Sequence, residues 1–252
     1  MTPCCMIYTG IINYFCPKET RMKNAYFLFL FFTILSCNAQ PDSAIKTNPA
    51  GFEKGLSGNG IQILDVRTDA EFKTGHIKNA LLADWNNQAQ FLDRVKYIDK
   101  DKPVYIYCLA GGRSAAAARW MRENDFKTVI ELEGGINAWK KESKPLEDNR
   151  NQPQMSTEQY EAKISGNKIT LVDFGAAWCP PCVKMAPLID ELEKMTDLNV
   201  TIVKIDAGIH TDVMKQLNIG PIPVFIIYKK GKEVWRKEGI VTKEEFLAQL
   251  NP

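Results

Sequence analysis

Ile169-Thr170-Leu171-Val172-Asp173-Phe174 runs into Gly175-Ala176-Ala177-Trp178-Cys179-Pro180-Pro181-Cys182, and the longer segment Val183 to Lys194 follows. Apart from Asp173, the first stretch is apolar and rich in strand formers, which predicts a buried strand. Val183 to Lys194 reads as a helix with Pro187 inside it. The two cysteines therefore fall where a strand ends and a helix begins. Free backbone amides and the positive end of a helix stabilise a thiolate on Cys179 at such a place. Two intervening residues keep Cys182 near enough to resolve a mixed disulfide. A Cys-x-x-Cys pair is also half of many zinc sites, but a second pair is absent and His210 stands alone, so no metal is expected.

The pattern extends on both sides. Downstream, Val200 to Ile205 and Val224 to Tyr228 read as strands and Asp212 to Leu217 as a short helix. Val234 to Lys237 reads as an edge strand, and Lys243 to Leu250 as a closing helix. Upstream, Leu146 to Gln154 is polar, contains a proline and lacks periodicity, so it is expected to link two domains. Before it, Ile61 to Val66, Val104 to Tyr107 and Val129 to Leu132 read as short buried strands, with a helix from Ala115 to Glu123. Alternation of strands and helices predicts an α/β chain with a parallel sheet in the first half. A length of 252 residues accommodates two domains of roughly 100–150 residues each. The expected boundaries are 43–145 and 155–252, joined through 146–154.

On these residues the second half resembles thioredoxin. Asp173 stands where that family has its buried carboxylate, six residues before Cys179, and Pro187 stands at its helix kink. Lys204, in Val-Lys-Ile-Asp, matches the lysine that neighbours the carboxylate, and Ile222-Pro223 matches the cis-proline loop that faces the dithiol. The resemblance implies a mixed sheet, with Cys179 as nucleophile, Cys182 as resolving thiol and Asp173 as acceptor of the Cys182 proton. It also implies that Pro223 keeps the loop open, that Ile222 offers backbone pairing and that Trp178 shapes the rim. Pro180-Pro181 replaces the usual Gly-Pro, and Gly175 stands where tryptophan is usual. Pro-Pro occurs in exported thioredoxin-like reductases, so reduction of protein disulfides is the expected direction.

The first half has a different sulfur. Cys108 follows the strand Val104 to Tyr107 and opens the loop Cys108-Leu109-Ala110-Gly111-Gly112-Arg113 ahead of an alanine-rich helix. Glycines let amides turn toward one sulfur, the helix start adds positive potential, and Arg113 adds fixed charge. With Ile63-Leu64-Asp65-Val66-Arg67, Glu71-Phe72, Gly75-His76-Ile77 and a closing Gly134-Gly135 with Trp139, this half resembles a rhodanese domain. The resemblance implies a parallel sheet with helices on both faces and a Cys108 that accepts a sulfane sulfur held by the loop amides. The six-residue loop has the size rhodaneses use for sulfur; related phosphatases and arsenate reductases have one residue more. Leu109 replaces a basic residue common in active sulfurtransferases. Asp65, Arg67 and Glu71 are expected to form an ion-pair and capping set, and His76 to pack and hydrogen-bond.

Lysine plus arginine, 32, nearly balances aspartate plus glutamate, 30, and no basic stripe with interleaved aromatics occurs, so no nucleic-acid partner is expected. Two histidines argue against histidine-based hydrolysis. Residues 1–39 read as a leader: Met22-Lys23-Asn24 precedes an apolar run, Ala25 to Ser36, too short for a span of roughly 20 residues. Met22 is then the expected start, which leaves out Cys4, Cys5 and Cys16. Ile34-Leu35-Ser36-Cys37 resembles a lipoprotein box, making Cys37 a membrane tether; ordinary cleavage after Ala39 is the competing outcome. The chain is therefore expected outside the cytoplasm, periplasmic or membrane-anchored. There it acts as a thiol–disulfide oxidoreductase joined to a persulfide-forming sulfurtransferase, without a cofactor beyond the cysteine pair and the bound sulfur. Its expected partners are disulfide-bonded client proteins, an external electron donor and a small sulfane-sulfur donor. The alternative is a redox-active thioredoxin domain carrying a non-catalytic rhodanese module.

Overall fold

A computed structural model describes residues 45–148, 152–166, 169–196 and 198–250. The expected leader, with Met22 and Cys37, lies outside the described residues. In chain order the first half is β1 (Ile45–Thr47), α1 (Pro49–Leu56), β2 (Gln62–Asp65), α2 (Asp69–Lys73), β3 (Leu81–Leu82), α3 (Gln88–Val95), β4 (Val104–Tyr107), α4 (Gly112–Glu123), β5 (Val129–Leu132) and α5 (Gly135–Lys141). The second is α6 (Thr157–Ile164), β6 (Ile169–Gly175), α7 (Pro180–Lys194), β7 (Val200–Asp206), α8 (Thr211–Gln216), β8 (Val224–Lys229), β9 (Lys232–Glu238) and α9 (Lys243–Leu250).

The first sheet has five parallel strands in the order β1-β5-β4-β2-β3. Successive strand side chains point to opposite faces, so Val104 and Ile106 enter one core cluster while Tyr105 and Tyr107 enter the other. Phe91 and Val95 of α3 and Ala117, Ala118 and Met121 of α4 cover the first face. Phe52 of α1, Phe72 of α2, and Ile136 and Trp139 of α5 cover the second. Both faces are buried, which is why these strands read as continuous apolar runs. Every loop that follows a strand therefore opens at the same end of the sheet. Cys108 sits there.

The second sheet runs β7-β6-β8-β9, with β6–β7 parallel and β8 antiparallel to both neighbours. Val172, Phe174, Val224 and Ile226 face α6 and α8, whereas Leu171, Phe225 and Ile227 face α7 and α9. β9 is mostly exposed and forms the expected edge. The ends of the expected linker are taken up by the domains beside it. Glu147 bridges to His76 through two backbone hydrogen bonds of 3.0 and 2.8 Å, and Leu146 packs on the first core. At the other end, Gln154 Oε1 accepts from the Asp212 amide at 3.4 Å, and Met155, the first residue past the linker, donates its amide to His210 Nδ1 at 3.1 Å. Both sheets belong to one compact unit. No helix among the described residues is long and apolar enough to cross a membrane.

Candidate functional site

Strand β6 delivers Trp178 and Cys179 to the first turn of α7. Cys179 is the residue that caps this helix, and Pro180 occupies the first helical position, where its missing N–H removes no hydrogen bond. Cys179 and Cys182 are joined as a disulfide, with Cα atoms 5.2 Å apart. The Cys182 amide donates to Cys179 Sγ at 3.3 Å. That geometry leaves a donor waiting for negative charge on Cys179 once the bond is reduced. The Ile222–Pro223 peptide is cis, and Cys179 Sγ lies 3.7 Å from the Ile222 carbonyl oxygen.

Behind the pair is a cavity of about 310 Å³ lined by Asp173, Gly175, Cys182 and Lys204. Burial pushes the Asp173 carboxyl up to about 6; the Lys204 charge pulls it down and Asp190 pushes it up. Such a carboxylate is a base near neutral pH. A Cβ on Gly175 would stand 3.3 Å from Asp173 Oδ1, a tight contact, and 3.8 Å from Cys182 Sγ, so glycine at this position lets the backbone lie close to both carboxyl and sulfur. Lys204 neighbours this carboxyl, as expected. Its backbone is in register with Asp173, but its ammonium bonds Asp190 at 2.8 Å and Glu193 at 2.9 Å. The two exposed carboxylates of α7 outcompete the half-buried one, and Lys204 acts on Asp173 only through space.

Trp178, expected to shape the rim, packs against the core of the other domain. Its carbonyl accepts from the Leu82 amide at 2.8 Å, the Arg94 guanidinium lies 5.4 Å above its ring, and the Phe72 ring is 5.8 Å away. The tryptophan next to the nucleophile is thus seated on the other domain.

The Cys108 site is built from the end of β4 and the start of α4. Cys108 is 1% exposed; its sulfur accepts from the Gly111 amide at 3.1 Å and from the Ser114 hydroxyl at 3.5 Å. Burial raises this thiol, yet hydrogen bonds from the Ser114 side chain and the amides of Ser114, Gly111 and Ala110 outweigh it, and the net shift is downward. Gly111 reaches this position with φ +104°, and Gly135, φ +60°, lies so near the loop that a Cβ would meet the Cys108 carbonyl oxygen at 2.5 Å. This close approach lets Ile136 and Asn137 donate to the carbonyls of Cys108 and Leu109 at 2.9 and 3.1 Å. Arg113 lies close enough for its charge to act on Cys108, and its guanidinium also forms a two-pronged pair with Glu71 at 2.7 and 2.6 Å. Leu109, Ala110 and Gly112 are exposed on the loop.

Asp65 and Arg67 form the expected buried ion pair at 2.6 Å, and Glu71 completes a capping box with Thr68. His76 stacks on Phe72 at 3.8 Å and lies 3.3 Å from the Phe72 carbonyl. Sequence reasoning missed Ser114 and Arg94. A small hydroxyl residue one turn into the helix after a glycine loop was a usable signal for Ser114. Arg94 sits among ordinary helix residues and carried none.

The two halves thus form a parallel α/β domain with a cysteine loop at its strand ends, followed by a domain with a cysteine pair at a helix start. Residues 48–142 match the family model "Rhodanese-like domain", and residues 151–252 match the model "Thioredoxin". Thioredoxin of Alicyclobacillus acidocaldarius is 37% identical over 91 residues, 36% of this chain and 87% of that protein. Thioredoxin of Mycobacterium tuberculosis is 37% identical over 90 residues, 35% of this chain and 76% of that protein. A crystal structure of a rhodanese-like domain protein from Staphylococcus aureus is 29% identical, covers 41% of this chain and 97% of its own, and superposes with a TM-score of 0.36. The chain belongs to the thioredoxin family and carries a rhodanese-like domain ahead of its thioredoxin domain.

Proposed function

We propose that the protein reduces disulfides of client proteins outside the cytoplasm and that Cys108 carries a transferable sulfur. The observation that carries the first part is the cysteine pair at the start of α7, between the cis-proline loop and a carboxyl held at about 6. In the reduced protein, the Cys179 thiolate attacks a client sulfur, forming a mixed disulfide and releasing one client thiolate. Asp173 takes the proton of Cys182, whose thiolate then attacks Cys179 Sγ and releases the second client thiolate. The cysteine pair is left as the disulfide, and two electrons from an external donor restore the dithiol. Insulin reduction by the wild-type protein and its loss in Cys179→Ser test this reading; persistence in that variant contradicts the assignment.

The lowered Cys108 thiol among amides supports the second part. Its thiolate would attack the sulfane sulfur of thiosulfate, sulfite would leave, and the persulfide would pass its outer sulfur to a thiol acceptor. A specific observation favours the rival reading of a binding-only module: Cys108 is almost fully buried and Arg113 is engaged by Glu71. Mass spectrometry after thiosulfate separates the two. Gain of one sulfur atom on Cys108 supports transfer, and an unreactive Cys108 supports the module. Residence outside the cytoplasm, with tethering through Cys37, is tested by fractionating cells that express the full chain and its Cys37→Ser variant.

A further inference from the structure

The loop that carries the dithiol closes onto an edge of the other domain's sheet. β3 is an edge strand of that sheet, and the Leu82 amide donates at 2.8 Å to the carbonyl of Trp178, the residue before Cys179. The Leu82 carbonyl accepts from Arg94 Nη1 at 3.0 Å, and the same guanidinium lies over the Trp178 ring. Both backbone groups of Leu82 are satisfied in this way, which is how folded proteins blunt an open strand edge. Arg94 is 7% exposed, and a cation on an aromatic face gains strength as water is excluded. Trp178 packs against the cores of both domains.

The other flank of Cys179 is held too. Pro180 is buried and lines a groove together with Leu81 and Tyr97 of the other domain. With Trp178 on one side and Pro180 on the other turned toward the rhodanese-like domain, Cys179 is 0% exposed and Cys182 9%. The larger cleft between the domains, about 610 Å³, is lined by Trp178 and Ile222 but by neither cysteine. Thiol–disulfide exchange needs a thiolate to reach the sulfur it attacks, so access is part of the rate. In this arrangement neither a folded client, nor a peptide, nor a small thiol reaches Cys179. Six residues, 148–153, separate the linker anchors at Glu147 and Gln154. Six residues extend to roughly 20 Å, enough for the domains to part while each stays folded.

We propose that the rhodanese-like domain is an autoinhibitory cover of the dithiol: the disulfide form is closed, and Trp178 must leave its seat on Leu82 and Arg94 before Cys179 can exchange. The proposal rests on the thiol–disulfide reading above. Only the open fraction reacts, so the observed rate is the intrinsic rate scaled by that fraction. Arg94 is a positioning residue for the closed state, acting through Trp178. Loosening the seat therefore raises the rate, the opposite sign from losing a residue that supports the chemistry.

The rate at which excess glutathione reduces the disulfide form of the full chain tests it, read by maleimide quenching and mass spectrometry. One glutathione thiolate attacks Cys179 Sγ and Cys182 leaves as a thiolate. A second glutathione then frees Cys179, glutathione disulfide forms, and two electrons have passed to the pair. Two variants loosen the seat from opposite sides. Arg94→Ala removes the cation, and Gly208→Ala presses from the thioredoxin side, because its Cβ would stand 2.8 Å from Trp178 Nε1. Reduction is expected to quicken about tenfold in Arg94→Ala, within what a desolvated cation–π contact supplies, and several-fold in Gly208→Ala. Arg94→Lys, which keeps the cation, is expected to stay near the wild type. Insulin reduction by the reduced variants is expected at or above the wild-type rate, which separates opening from unfolding. Glutathione rates no faster than the wild type in both variants, or faster rates with insulin reduction lost only in the variants, overturn the cover. Failure of the reduced wild type itself to reduce insulin overturns the thiol–disulfide reading, and the glutathione rates then still decide the cover.

Discussion

Asp173 is where the chemistry of a single residue can be read most directly. Its carboxyl is held at about 6, above the ordinary 3.8, first by burial. The folded state therefore binds the proton more tightly than the unfolded state does. The sign follows: its contribution favours the fold below the unfolded value and is lost as pH rises through about 6. Asp173→Asn is expected to stabilise the protein by about 2 kcal/mol at pH 8, with the gain vanishing below pH ~4. Urea unfolding at the two pH values checks this. The same variant is expected to slow disulfide exchange between pH 6 and 8. At Cys108, Ser114→Ala removes a donor to the sulfur, and iodoacetamide alkylation at pH 7 is expected to slow about two- to fivefold. An unchanged rate would mean that the amides alone hold the thiolate.

At the scale of elements, short α2 does two jobs. Its capping box fixes Glu71, and Glu71 in turn holds Arg113 at the start of α4. The Arg113 hydrogen bonds lower the Glu71 carboxyl to about 2, so this stabilisation is present above the unfolded 4.5 and is lost as pH falls through about 2. Glu71→Ala is expected to cost about 1–2 kcal/mol, most of it from the cap, because the ion pair is partly exposed. Denaturant midpoints of the variant check the figure. Many elements were legible because their signal is local. Val104–Tyr107, Val129–Leu132 and Lys243–Leu250 stand as the sequence predicts. β1, with three residues, and β3, with two, have no period long enough to read, and they exist because β5 and β2 offer edges. α2, only five residues long, is set by its Thr68 cap more than by an apolar stripe.

At the scale of the whole molecule, the two cysteine sites could be located from sequence, but their surroundings could not. Cys179 and Cys108 carry short motifs, whereas the pairing of Lys204 with Asp190 and Glu193, and of Arg113 with Glu71, depends on which carboxylate a long side chain reaches in three dimensions. The seating of Trp178 on Leu82 and Arg94 couples residues far apart in the chain, and no local pattern announces it. If that seating joins the domains, Trp178→Ala is expected to cost about 3 kcal/mol and to split thermal unfolding into two transitions. A single unchanged transition in calorimetry would contradict it.

The order of attack at the dithiol is tested most directly by trapping. Reduced Cys182→Ser protein, mixed with a disulfide-bearing peptide and analysed by mass spectrometry after proteolysis, is expected to hold the peptide through Cys179 as a stable mixed disulfide. Trapping through Cys182 in the Cys179→Ser protein, with none in Cys182→Ser, would contradict the account.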